Sequence, residues 1–475
     1  MGISPGARAV RRCRAIGREV RMRIVIIGGG KVGFAIAAQL TQEGHDITVV
    51  DKDRRIVDNI SDQLDCMAIC GSGATVGVMR EAGVDNSDLL IACTAQDELN
   101  MLCCVFASKL GCASTIARVR TPAYSEQLYL LRDELGLSMT INPELTAATE
   151  MFRLLEIPGV LKRDSFAHGR VEIVEVIPKP GDPMDGVRLM DLPKKIRCHI
   201  FVGAVQRGDE TIIPGGGFTL MAGDKVYLCA PATEIVHILR AIGEYRRKAR
   251  NILLIGGSTV AEYLTAMLIK ADAKVKLIEN DAARAEYFAE RFPEAEVINA
   301  EGTSELVLKE ENIDRMDAVA ALTTRDEENL ILSMYVGAHG TRQIITLVDH
   351  SEFSGLVTNP DNRLISPKQM CADEIVRYVR GMQNSTGSAV VMLHHLADGG
   401  ADALEFHVNE SCRNLGKKLR DIRLKPNILI ACINRRGKII IPGGADSIET
   451  GDTVIVICGS NRVILDINDI FATEG

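Results

Sequence analysis

Gly28, Gly30 and Gly33 stand at the spacing G-x-G-x-x-G, and Asp51 follows the last of them by 18 residues. Residues of these types at this spacing hold a nucleotide and break no bond. Glycine at 28 permits a tight turn, glycine at 30 lets backbone N–H groups approach a pyrophosphate, and glycine at 33 lets a helix pack closely on a strand. Lys31 and Val32 complete the turn and count with its ligand-facing residues. An acid at the position of Asp51 accepts hydrogen bonds from a ribose diol and repels a 2′-phosphate, which favours NAD(H) over NADP(H). Lys52, Arg54 and Arg55 follow it closely.

The chemistry needs a strand, a turn, a helix and a second strand in register. The apolar runs Ile24 to Ile27 and Ile47 to Val50 flank the glycines as expected. Further strand signals fall at Leu89 to Cys93 and Ile116 to Val119, separated by helix-like stretches, which predicts a parallel, doubly wound α/β sheet. Within CTAQDELN (Cys93 to Asn100), Thr94 and Asp97 have the T-x-x-D spacing of an N-capping box. The same strand end can also line a nucleotide pocket. Arg118 and Arg120, at the end of IARVR, are placed to complete a phosphate cradle.

Hydride-transfer chemistry would require a proton-exchanging group near the nicotinamide end. His45 lies in a turn before the strand that carries Asp51, on the adenosine side. His394 and His395 are adjacent, so on a strand they point to opposite faces. There is no G-x-S-x-G and no P-loop lysine. A cofactor site without visible chemistry favours the ligand as a signal, with a soluble NAD-dependent oxidoreductase as the alternative.

The chain has 475 residues, 46% of them apolar, which predicts several domains. With 55 basic and 63 acidic residues it carries a formal charge of −8, giving no general case for nucleic-acid binding. No apolar run reaches the roughly 18 residues of a membrane span. The 13 cysteines lack metal-ligand spacing and read as reduced core residues. Residues 1–21 form a separate basic arm, with six arginines against Glu19, and are expected to be disordered or to precede an internal start at Met22.

A shift of 228 residues lays Gly28 on Gly256, Asp51 on Glu279, Pro214 on Pro442 and Gly223-Asp224 on Gly451-Asp452. The chain is therefore a tandem duplication in the order A-B-A-B. The expected domains are residues 22–160, a first Rossmann-like domain; 161–243, a small α+β domain; 250–385, a second Rossmann-like domain; and 386–475, a second α+β domain. After Asn142, the stripe Leu145, Ala148, Met151, Leu154 and Leu155 predicts an amphipathic helix, either core or a crossing helix for dimerisation. It ends at Pro158-Gly159, and a loose copy begins at Lys368.

The second glycine turn is altered. Gly256, Ser258 and Ala261 stand where the first half has three glycines, and Ser258 is expected to resist the positive φ and close approach that glycine allows. Glu279 retains the ribose acid and Thr323 the strand-end threonine. With Val119 placed on Val348, one residue beyond the first shift, Arg118 and Arg120 fall on Leu347 and Asp349, so this second site, Gly256, Ser258, Glu279 and Thr323, is expected to bind dinucleotide weakly, bind another nucleotide, or serve structure.

IVIIGGGKVG, Asp51, CTAQDELN and IARVRTPAY, followed by a small domain with IIPGG and GD, resemble the regulator-of-potassium-conductance (RCK) family in its tandem form. The resemblance spans Met22 to Ile470. It implies a cytoplasmic homo-oligomer, a tetramer forming an eight-unit ring, held at the inner face of the inner membrane by a Trk-type potassium channel or transporter subunit. It also implies NAD(H), or else ATP or ADP, bound by the first Rossmann domain at Gly28, Gly30, Gly33, Asp51, Thr94, Asp97, Glu98 and Arg118. Where the family has a G-D-G-T-like turn after the third strand, this chain has Gly71-Ser72-Gly73-Ala74, so adenosine contacts at Gly71 and Ser72 rest on backbone groups. The second copy, Ala300-Glu301-Gly302-Thr303, keeps an acid and a hydroxyl.

Overall fold

The apolar runs that flank the first glycine turn become central strands of a parallel sheet. In the computed structural model, which describes residues 21–121, 124, 135–156, 163–243 except 168, 199 and 209, 248–349 except 342, 359, 362–383, 390–397, 400–459, 464 and 466–472, the first Rossmann domain contains six strands. They are β1 (Arg23–Ile27), β2 (Asp46–Asp51), β3 (Met67–Cys70), β4 (Leu89–Ala92), β5 (Ser114–Arg118) and β6 (Met139–Ile141), in the order β3-β2-β1-β4-β5-β6 with every pairing parallel. β4 is buried along its whole length and β1 from Ile24 onward, because helices cover both faces; this is why they read as unbroken apolar runs rather than alternating ones. The sequence reading missed β3 and β6. Both are short edge strands with exposed or half-buried positions, which weakens the apolar signal.

The first small domain contains β7 (Arg163–Phe166), β8 (Val171–Val176), β9 (Phe201–Arg207), β10 (Glu210–Ile212) and β11 (Lys225–Pro231), an antiparallel sheet in the order β10-β9-β11-β8-β7. The second Rossmann domain repeats the first with β12 (Asn251–Ile255), β13 (Lys274–Glu279), β14 (Glu296–Asn299), β15 (Ala318–Ala321), β16 (Ile344–Leu347) and β17 (Asn362–Ile365), in the order β14-β13-β12-β15-β16-β17. The second small domain contains β18 (Val390–Leu396), β19 (Ala401–His407), β20 (Ile428–Arg435), β21 (Lys438–Ile440) and β22 (Thr453–Gly459), ordered β18-β19-β22-β20-β21. The duplication seen in the sequence is thus a duplication of topology.

The chain divides into two compact units. One is the chain up to Arg153 with Ala249–Val376, which contains both Rossmann domains; the other is Leu154–Lys248 with the chain from Arg377 onward, which contains both antiparallel sheets. In the first unit, the helices Pro143–Glu156 and Pro367–Gln383 meet where Thr146 Oγ1 donates to Glu374 Oε2 at 3.4 Å. The amphipathic stretch and its loose copy are therefore partners within one chain. Its Ala148 and Met151 are fully buried, while Pro158-Gly159 lie outside the described residues, as does the basic arm up to residue 20.

In the second unit the two sheets share a core in which Ala204, Ala401, Ala403 and Ala431 lie with larger side chains such as Phe166, Tyr227 and Ile457. Gly203 sits under Ile457, whose Cδ1 would stand 1.9 Å from a Cβ there, so glycine is what lets the sheets approach. The Gly-Asp turns noted in the sequence have a purpose here. Asp224, buried, receives two bonds from the Arg207 guanidinium at 2.7 Å each, and Asp452 receives two from Arg435 at 2.9 and 2.8 Å.

Candidate functional site

β1 lies between β2 and β4, so the chain leaves the sheet in opposite directions at the carboxyl ends of β1 and β4, where open α/β sheets bind ligands. Gly28 follows β1 and is held by its N–H, which donates to Val50 O at 2.8 Å. It has φ +100°, and a Cβ would stand 2.9 Å from Thr94 N, so only glycine fits this turn. Gly33 packs under the turn, where a Cβ would lie 1.9 Å from Gly28 O. Gly30 is different: its φ is −63°, and a Cβ would meet nothing within 4 Å. The protein's own packing does not require glycine there. A ligand pressed against the backbone would.

Gly30 is also the N-cap of the helix Lys31–Gln42, which has no side-chain cap and no acid in its first turn. Its N-terminal N–H groups and positive dipole end are thus left for an anion. Asp51, at the end of β2, accepts from Gly29 N at 2.7 Å through Oδ2 and from Asp53 N at 2.9 Å through Oδ1. These bonds fix the carboxylate beside the turn, and each oxygen keeps a lone pair for a ribose hydroxyl. A cleft of about 1100 Å³ lies between the two glycine turns, lined on one side by Gly28, Gly30, Lys31, Val32, Asp51, Gly71, Ser72, Thr94 and Arg118 and on the other by Gly257, Ser258, Thr323 and Asp349 of the second Rossmann domain. Such residues and dimensions suit a dinucleotide.

The capping box predicted at Thr94 and Asp97 is not formed. The helix Asp97–Leu110 has Gln96 as its N-cap and no side-chain cap bond. Fully buried Asn100 takes the central role instead: its Oδ1 accepts from Thr94 N at 2.8 Å and from Thr94 Oγ1 at 2.7 Å, and its Nδ2 donates to Arg118 O at 2.9 Å. One amide side chain thus ties the end of β4 to the end of β5. Asp97 is buried and its Oδ2 accepts from Arg120 N, Thr121 N and Thr121 Oγ1, while exposed Glu98 accepts from the Tyr124 hydroxyl at 2.8 Å. Neither is among the residues lining the cleft. Arg118 does line it, paired with Glu144 at 2.9 Å; Arg118 Nε and Glu144 Oε2 have no protein partner. Cys93, behind the glycine turn, donates to Gly28 O at 3.2 Å, and burial pushes its thiol up to about 12.

In the second Rossmann domain, Gly256 has φ +101°, as Gly28 does. Ser258 adopts φ −66°, so the conformational objection to serine there does not hold: no positive φ is needed at this position in either copy. What serine changes is the helix end. Ser258 Oγ accepts from Ala261 N at 3.3 Å, capping the helix that in the first copy is open. Glu262 adds a buried carboxylate to that helix's first turn, paired with Arg284 at 2.9 Å and with the Tyr287 hydroxyl at 2.7 Å. The sequence reading missed Glu262 and Arg284 because their counterparts, Phe34 and Ile56, are apolar. Glu279 repeats the geometry of Asp51, accepting from Gly257 N at 2.5 Å. A pocket of about 370 Å³ is lined by Gly256, Ser258, Glu279 and Thr323. Glu301 accepts from Thr303 Oγ1 at 3.0 Å, which holds its carboxyl below the usual range.

Two parallel sheets in tandem, each with a glycine turn at its switch point and an acid on the neighbouring strand, define a duplicated Rossmann-domain protein. The TrkA-N domain matches residues 24–143 and 252–367, and the TrkA-C domain matches 173–243 and 403–467. The chain belongs to the TrkA family. It is 31% identical over 457 residues to the Trk system potassium uptake protein TrkA of Halomonas elongata, covering 95% of this chain and 98% of that one. With a TrkA homolog of Archaeoglobus fulgidus it shares 31% identity over 436 residues, covering 92% and 97%. Among solved structures, the GsuK channel bound to NAD has the same fold, with a TM-score of 0.62 and 18% identity over 96% of this chain and 81% of that one. The isolated GsuK RCK domain gives 0.61 and 18%, covering 96% and 97%.

Proposed function

We propose that this chain is the nucleotide-sensing regulatory subunit of a Trk-type potassium channel or transporter, with NAD(H), or else ATP or ADP, bound at its first Rossmann site. The observation that carries this reading is the uncapped helix N-terminus at Gly30, facing a cleft fixed by Asp51, beside a second copy whose helix is closed by Ser258. The names of the family's members supply the potassium-uptake system, and a GsuK channel bound to NAD supports the ligand. NAD(H) would lie with its pyrophosphate at Gly30, Lys31 and Val32 and its adenosine ribose at Asp51, with Gly71 and Ser72 alongside.

The ligand acts as a message in this reading. Among the described residues that line the cleft there is no histidine; Lys31 is paired with Asp349 and the Tyr287 hydroxyl donates to Glu262, while Lys52 and Lys368 also line it. Among the described residues no helix is long and apolar enough to cross a membrane. In this reading the transporter subunit holds the chain at the cytoplasmic face of the inner membrane. A homotetramer would present eight Rossmann domains as a ring, and a nucleotide moves such a ring only by its differential affinity for the two states. The test is calorimetric titration of the full chain with NAD, NADH, ATP and ADP, and potassium flux through the reconstituted transporter with the same nucleotides. Binding and nucleotide-dependent flux that both disappear in Gly30→Asp support the reading. Unchanged regulation in a binding-dead variant overturns it, and nicotinamide-dependent turnover of a small substrate by the isolated protein favours the oxidoreductase alternative.

A further inference from the structure

Lys31 follows Gly30 at the open helix end, yet its ammonium does not point at empty solvent. It donates to Asp349 Oδ2 at 2.6 Å, a residue of the second Rossmann domain 318 positions away. Both side chains line the same cleft. Asp349 occupies the repeat position of Arg120, so the two copies carry opposite charges at one place. Their backbones are held alike: Arg120 N donates to Asp97 Oδ2 at 2.9 Å, and Asp349 N donates to Asp326 Oδ1 at 2.9 Å. Asp349 is therefore anchored by its main chain, with its carboxylate aimed at the first glycine turn.

We propose that Asp349 sets the affinity of the first site by competing with a ligand's pyrophosphate for the Lys31 ammonium. This rests on the nucleotide reading above and adds a residue of the second domain to that site. The pair is of the exchangeable kind, since its side chains are 60% and 40% exposed and such ion pairs are weak. A pyrophosphate at Gly30 offers the neighbouring ammonium two negative charges in place of one. The hydrogen bond to Asp349, followed by the fields of Asp349, Asp326 and Glu327, already holds Lys31 above the ordinary lysine value, so it stays charged for either partner. Because the clasp spans the two Rossmann domains, its exchange for phosphate couples ligand binding to the contact between them.

NADH and ADP are titrated calorimetrically against the full chain and its Asp349→Asn, Asp349→Ala, Lys31→Met and double variants, with melting temperatures as the folding control. Removing the competitor is expected to tighten NADH and ADP roughly two- to fivefold in either Asp349 variant. In the Lys31→Met background the same change is expected to have no effect. Unchanged or weaker binding in both Asp349 variants overturns the proposal, as does equal tightening without Lys31, which would mean that the acid acts through its field alone. A wild-type chain that binds neither nucleotide overturns the proposed function and this inference with it, whereas loss of the Asp349 effect in a chain that binds overturns the inference alone.

Discussion

Gly33 lies directly beneath Gly28, and a Cβ on it would stand 1.9 Å from the Gly28 carbonyl oxygen. The second copy has Ala261 in that place, fully buried, so the fold itself survives a methyl group there. Gly33→Ala is expected to fold, to lose about 1–3 kcal/mol through overpacking, and to displace the turn enough to weaken NADH binding at least tenfold. Urea denaturation and calorimetry measure the two effects separately. A variant that unfolds outright would show that the two turns are not equivalent.

Gly30→Asp should behave in the opposite way on stability. A Cβ meets nothing within 4 Å, and a carboxylate at an N-cap satisfies an open helix end. The melting temperature should hold or rise slightly while nucleotide binding disappears, because the carboxylate takes the N–H groups that a phosphate needs. Loss of stability together with binding would mean that Gly30 is structural.

Asn100 and Asn329 make the same bonds in the two copies, each to a strand-end threonine and to the last carbonyl of the next strand. Asn100→Ala and Asn329→Ala should each cost roughly 1–3 kcal/mol, since buried partners are left unsatisfied. Their effects on ligand should differ. Asn100→Ala releases Thr94 and Arg118 beside the first glycine turn and should weaken NADH binding, whereas Asn329→Ala releases Thr323 and Leu347 on the second domain's side of the cleft and should leave it nearly unchanged, which a paired titration would detect.

Burial alone would push the Asp224 carboxyl up, but the bidentate bond from Arg207 and the peptide N–H of Met221 hold it below the usual aspartate value. A lowered folded-state value means that this stabilisation is present above the unfolded carboxyl value of about 3.9 and is lost as pH falls through the folded one. Asp224→Asn should therefore cost roughly 1.5–3 kcal/mol at pH 7, and the difference from wild type should shrink in acid. Denaturation at pH 7 and pH 3 measures this.

Cys70 is exposed, whereas Cys93 is buried with its thiol pushed up to about 12. A maleimide at pH 7.5 should label Cys70 in the folded chain and reach Cys93 only after denaturation, as mass spectrometry of the digest would show.

Much of this protein is legible in its linear order. The duplication, the two glycine turns with their acids, and the central strands β1 and β4 follow from local spacing and from runs buried on both faces, which need no partner to be recognised. The edge strands β3 and β6 were hidden because only a sheet's interior imposes a strong apolar signal. Thr94 and Asp97 carry a helix-capping spacing, yet the bonds went to Asn100 and to the loop after β5, because competition among polar groups is settled only when strand ends are brought together. Ser258 shows the same limit: its type marks a changed site, but its bond to Ala261 N decides that the helix end is closed. Lys31 and Asp349 stand 318 residues apart, and no periodicity links them. Their meeting, and the facing of both glycine turns on one cleft, belongs to the tertiary structure alone, since a pair of charges interacts through distance in space and not along the chain.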